Sequence, residues 1–92
     1  MNKAYSVIHL DGTVQGVGFR YATHIKANAI GLTGYVRNLP NGQVEILAGG
    51  AKDQRQSLIN WLKTGGPKSA KITAIKVASC SPRTNFVSFD IR

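Results

Sequence analysis

Gly12, Thr13, Val14, Gln15, Gly16, Val17, Gly18, Phe19 and Arg20 follow one another directly, with a strand-like apolar pattern before them and a helical one behind. Glycines two apart let a backbone fold so that several N–H groups point at one place, with no side chain blocking an arriving anion. A helix N-terminus adds partial positive charge there. Arg20 adds a full charge on a forked donor whose geometry suits phosphate oxygens. From Gly12 through Val44 the sequence contains no Asp or Glu. An oxyanion would meet no local carboxylate repulsion, and any carboxylate base would have to come from elsewhere in the chain.

Other chemistries are poorly supplied. Cys80 is the single cysteine, so no intrachain disulfide is possible and the cytosol is the expected location. It has no arginine at the spacing of a thiol phosphatase cradle and reads as a structural thiol, buried or half-exposed. His9 and His24 have no sequence-visible orienting partner and read as structural or exposed. With one cysteine they offer no recognisable ligand spacing, so a zinc site is not expected. The loop also lacks the Gly-Lys-Ser/Thr ending of a Walker loop and the third glycine of a dinucleotide fingerprint.

The chain has 92 residues, of which 42% are hydrophobic and 17% charged, a composition that supports a packed core and a single domain over residues 1–92. Twelve Lys and Arg against four Asp and Glu give a net charge of +8 and a pI near 10.2, so anions are attracted to the whole surface. Lysines 52, 63, 68, 71 and 76 read as a solvated basic surface that also steers anions. No uninterrupted apolar stretch resembles a signal peptide or a membrane span, and no membrane association is expected.

The elements that must position the loop can be read from periodicity. Residues 4–11 form a first strand with Ile8 and Leu10 facing inward. Phe19 to Ile30 form a helix with Ala22, Ile25 and Ala29 at core spacing, capped by Gly31. Residues 32–39 and 43–49 make a hairpin around Pro40, Asn41 and Gly42. Lys52 to Thr64 form a second helix with Leu58, Trp61 and Leu62 on its core face, stopped by Gly65, Gly66 and Pro67. Residues 70–78 and 86–91 are the last strands, with Val87, Phe89 and Ile91 alternating inward.

This order, β-α-β-β-α-β, predicts an α+β, ferredoxin-like sandwich: an antiparallel sheet of four strands, or five where the last is broken near Pro82, with both helices on one face. The first helix carries the chain about 16 Å away from the loop and the next strand returns it by about 20 Å. Asn38 therefore comes back beside Arg20, while Arg37 alternates to the other face as a solvated charge. The same order is used by RNA-binding sheets, which +8 would suit. However, the third strand, Gln43 to Ala48, has no aromatic on which to stack a base and carries Glu45. A non-catalytic domain that senses a phosphorylated ligand is a further alternative.

Three blocks, Gly12-x-Val14-Gln15-Gly16-Val17-Gly18-Phe19-Arg20, then Gly34-Tyr35-Val36-Arg37-Asn38 followed by Gly42-x-Val44-Glu45, then Gly65-Gly66-Pro67 before Ser69-Ala70-Lys71-Ile72, resemble the acylphosphatase family over nearly the whole chain. The one visible departure is Tyr35, where relatives often carry Trp, and it touches packing. The resemblance implies the ferredoxin-like fold and hydrolysis of the carboxyl-phosphate bond of small acyl phosphates without metal or cofactor. It further implies that Gln15, Gly16, Val17, Gly18, Phe19 and Arg20 bind the phosphate, with Arg20 the principal side-chain ligand, and that Asn38 holds the attacking water. A monomer that binds neither nucleic acid nor membrane is expected.

Overall fold

The structure is a computed structural model that describes residues 4–92. In chain order it contains β1 (Tyr5–Thr13), α1 (Phe19–Ile30), β2 (Thr33–Asn38), β3 (Val44–Gly49), α2 (Lys52–Lys63), β4 (Lys71–Cys80) and β5 (Phe89–Ile91). The sheet order is β4-β1-β3-β2-β5. The first four strands pair antiparallel, as the ferredoxin-like reading requires. β5 adds to β2 in parallel, so the sheet is mixed. β1 runs two residues further than the sequence pattern suggested, because a register shift against β4 at Asp11 and Gly12 lets pairing continue to Thr13.

One face of the sheet packs on the helices. Ile8, Leu10, Val36, Val44, Ile46 and Ala48 meet Leu58, Ile59 and Leu62 of α2 and Phe19 and Ala27 of α1 in one continuous core. Alternation along the strands is what delivers these side chains to a single face. Trp61 sits at the edge of this core, half-buried, rather than at its centre. Gln54 joins the helices: its Oε1 accepts from the Ala51 amide at the start of α2, and its Nε2 donates to the Ile30 carbonyl at the end of α1. Gly31 closes α1, its amide donating to the carbonyls of Ala27 and Asn28.

Two expectations about facing fail. The inward face of α1 is Phe19, Thr23 and Ala27, not Ala22, Ile25 and Ala29, and Ile25 is 51% exposed. Apolar residues are spread around most of this helix, so its rotation is set by the entry, which drives Phe19 into the core. In the last segment only Phe89 is buried; Val87 is 92% exposed and Ile91 42%. Residues 81–88 are not strand, because here the chain crosses the face opposite the helices to reach the far edge of the sheet. The Phe86 ring lies against Tyr5 and Tyr35 on that face, and its amide donates to the Tyr5 hydroxyl.

The same face holds an ion cluster across three neighbouring strands. Glu45 lies opposite both His9 and Arg37 in register. Its Oε1 accepts from the Tyr35 hydroxyl and from Arg37 Nε, each at 2.7 Å, and its Oε2 is 2.8 Å from His9 Nε2. Arg37 is therefore paired rather than merely solvated. Burial pushes the Glu45 carboxyl up, but the hydrogen bonds from Tyr35, His9 and Arg37 outweigh it and hold the group below its ordinary value of 4.5. Burial and the bond to Glu45 together raise the Tyr35 hydroxyl.

A carboxylate lowered by folding contributes stability that is complete above its ordinary value and is lost as pH falls through the lowered one. Glu45→Gln should therefore cost about 1 to 3 kcal/mol near neutral pH. Urea unfolding as a function of pH should show a smaller acid-induced loss of stability in the variant than in the parent.

Candidate active site

The loop between β1 and α1 is shaped by two left-handed glycines. Gly16 has φ 75° and Gly18 φ 76°, and a Cβ added at either would meet nothing within 4 Å. The backbone thus turns sharply beside open space, which an L side chain would both strain and fill. Gly18 is the N-cap of α1, and the Ala22 amide donating to its carbonyl is the first bond of the helix. Among the described residues, no main-chain amide from Gly16 through Tyr21 donates to a protein acceptor. These are the orphan donors of a helix start, extended backward by the loop, and together they favour an anion.

The loop is fixed at several points. Val14 and Phe19 are each 1% exposed, one at either end of it. The Val17 carbonyl accepts from Ser69 Oγ at 2.7 Å. The strongest tie is Gln15, whose Nε2 donates to the carbonyls of Leu39 and Gln43, each at 2.8 Å. Gln43 Nε2 in turn reaches both carboxylate oxygens of Asp11, at 3.2 and 3.3 Å. The Gln15 Nε2 is therefore committed to the β2-β3 hairpin.

A cleft of about 220 Å³ opens over the loop, lined by Val14, Gly16, Gly18, Phe19, Arg20, Tyr21, Asn38 and Ile91. Arg20 and Asn38 line it together, as the return path of β2 requires. Of the residues expected to grip phosphate, Gly16, Gly18, Phe19 and Arg20 line the cleft, whereas Gln15 and Val17 do not. Arg20 Nη1 donates to the main-chain oxygen of Arg92 at 3.0 Å. That contact holds one branch of the guanidinium and leaves the other donors available. Asn38 Oδ1 is buried and has no hydrogen-bond partner among the described residues. A buried acceptor without a donor is costly, so a turn of the Asn38 side chain that met an O–H in the cleft would be favoured.

The sequence reading missed four contributors. Ser69 and Arg92 hold the loop and Arg20, and Tyr21 and Ile91 form walls. Tyr21 is visible in principle as the neighbour of Arg20 in the first helical turn. The others depend on long-range contacts, and Ile91 and Arg92 arrive only because β5 adds to β2.

The family model for acylphosphatase matches residues 6–91. The chain belongs to the acylphosphatase family. It is thus an enzyme of the acylphosphatase class, a family that acts on small acyl phosphates. The acylphosphatase of Bacillus subtilis has a crystal structure that superposes with a TM-score of 0.87 at 38% identity, covering 97% of this chain and 98% of that one. An acylphosphatase from Coxiella burnetii gives 0.88 at 33% identity, covering 99% and 94%. HypF from T. kodakarensis contains a similar unit: it gives 0.85 at 33% identity, covering 98% of this chain but 12% of that longer one. The cleft described above supplies the candidate side chains for the chemistry.

Gln15→Ala removes two hydrogen bonds to the hairpin, although the Leu39 carbonyl keeps the Gly42 amide and the Gln43 carbonyl keeps the Leu39 amide. It should lower stability by about 1 to 3 kcal/mol, seen as a lower urea midpoint with an unchanged denaturant slope, and it should weaken inorganic phosphate binding measured by calorimetry.

Proposed function

We propose that this acylphosphatase hydrolyses acyl phosphates by holding the phosphate in the loop amides and Arg20 while Asn38 orients the attacking water. The observation that carries the proposal is the meeting of three features in one cleft: the unpartnered amides from Gly16 onward, the Arg20 guanidinium, and the buried, unpartnered Asn38 Oδ1.

The substrate makes such a sparse site sufficient. An acyl phosphate is a mixed anhydride, and its leaving group is a carboxylate, stable as an anion without protonation. Phosphoryl transfer then asks the protein mainly for positioning and for stabilising charge on the equatorial oxygens. Preorganised amides and one forked cation provide that. The water oxygen bonds to phosphorus as the bond from phosphorus to the acyl oxygen breaks, its electron pair leaving with the carboxylate. Asn38 cannot take a proton near neutral pH, and no carboxylate among the described residues lines the cleft, so the water proton passes to a phosphate oxygen. Phosphate monoesters have much poorer leaving groups and should be turned over slowly. In this reading the protein acts without a metal, as a monomeric single domain in the cytosol. No helix among the described residues is long and apolar enough to cross a membrane.

The RNA-binding alternative fits the exposed face of the sheet less well. The Tyr35 ring there is already occupied, with the Arg92 guanidinium 4.5 Å from its centre and Phe86 packed against it.

With benzoyl phosphate as substrate, Arg20→Ala and Asn38→Ala should each lower kcat/KM by about 10² to 10³. Arg20→Lys should recover little, because a point charge does not replace a fork. The parent's rate should vary little with pH across neutrality. An ionising protein base appearing in that profile, or full activity in Asn38→Ala, would remove the assigned role of Asn38.

A further inference from the structure

The cleft of about 220 Å³ has walls beyond the loop glycines, Arg20 and Asn38. Its remaining walls are unequal. Val14 and Phe19 are 1% exposed and belong to the core. Tyr21 is 64% exposed and Ile91 42%. They come from separate elements, the first turn of α1 and β5, where Ile91 pairs with Val36, two residues before Asn38. Of the large apolar side chains left exposed among the described residues, Tyr21, Ile25, Val77, Val87 and Ile91, these are the two that line the cleft. Among the described residues, Arg20 is the one charged residue lining it.

We infer that Tyr21 and Ile91 form the acyl subsite, and that it favours substrates with an aromatic or branched apolar acyl group over small or acidic ones. The inference rests on the proposed reading of the cleft and goes beyond it by naming what grips the non-phosphate half of the substrate. In-line displacement sends the leaving carboxylate away from the water, so the acyl group lies outside the amide cradle. The exposed apolar surface that adjoins the cradle is that of these two side chains. A Tyr ring provides a broad contact area with little rotamer entropy to lose, and apolar area covered there is area removed from water. Among the described residues that line the cleft, an acidic acyl group would find no cation beyond Arg20, which in this reading holds the phosphate.

Benzoylphosphonate and acetylphosphonate, which resist hydrolysis, separate the two halves of the idea. Calorimetry should show the benzoyl compound binding more tightly to the parent. Tyr21→Ser should lower the benzoyl-to-acetyl affinity ratio about 5- to 10-fold, and Tyr21→Phe should keep it. Turnover should follow the same pattern, with the loss in KM for benzoyl phosphate rather than in kcat. A ratio near one in the parent, or one unchanged by Tyr21→Ser in protein with native circular dichroism, overturns the subsite. Arg20→Ala should weaken both phosphonates together. If it weakens neither while the ratio still responds to Tyr21, the phosphate cradle is wrong and the apolar subsite stands.

Discussion

The cleft depends on one side chain that ties two segments the sheet itself leaves apart. In the order β4-β1-β3-β2-β5, β1 and β2 are not neighbours, so no ladder bond connects the loop after β1 to the end of β2 where Asn38 sits. Gln15 makes the connection, donating to the carbonyls of Leu39 and Gln43 on either side of the turn. Leu39 is the residue next to Asn38. A shift of the hairpin therefore pulls on the loop, and the distance between the loop and Asn38 is set by two short hydrogen bonds rather than by the flexibility of nine residues containing three glycines.

Arg20 is held in a comparable way. Its guanidinium rests on the main-chain oxygen of Arg92, and Arg92 is itself fixed: its amide donates to the Val36 carbonyl and its guanidinium stacks on Tyr35 and Phe86. The arginine that would meet phosphate is thus referenced to both faces of the sheet through the end of β5. The Glu45 cluster stiffens the same region from below, joining β1, β3 and β2 through His9, Tyr35 and Arg37. The acidic charge on the central strand is consumed within this cluster on the face opposite the cleft. The net charge of +8 is left to draw anions toward the protein.

Much of this was legible in the chain. The alternation of Ile8 and Leu10, the Asn41-Gly42 turn and the glycine stop after the second helix give the element order, and element order with right-handed crossovers gives the sheet. The approach of Asn38 to Arg20 follows from helix and strand lengths alone. The rotation of α1 was not legible, because its apolar residues are spread around the helix and only the packing of Phe19 chooses a face. Nor was the exposure of Val87, whose alternation with Phe89 resembles a strand, although the chain there is crossing over the sheet. Arg37 looked solvated because its partner, Glu45, lies eight residues away across a hairpin.

The local chemistry was therefore written in the sequence: glycines where the backbone must turn left-handed, an arginine at a helix start, a carboxylate-free stretch around them, and an asparagine at a fixed distance along a returning strand. These properties are short-range, set by φ, by charge and by residues per turn. Tertiary structure alone decided what holds that chemistry still and what surrounds it: Gln15 on the hairpin, Ser69 on Val17, Arg92 on Arg20, and Tyr21 and Ile91 beside the cradle. Those pairings span up to 72 residues, and no local pattern encodes which distant carbonyl or side chain the folded sheet will bring within reach.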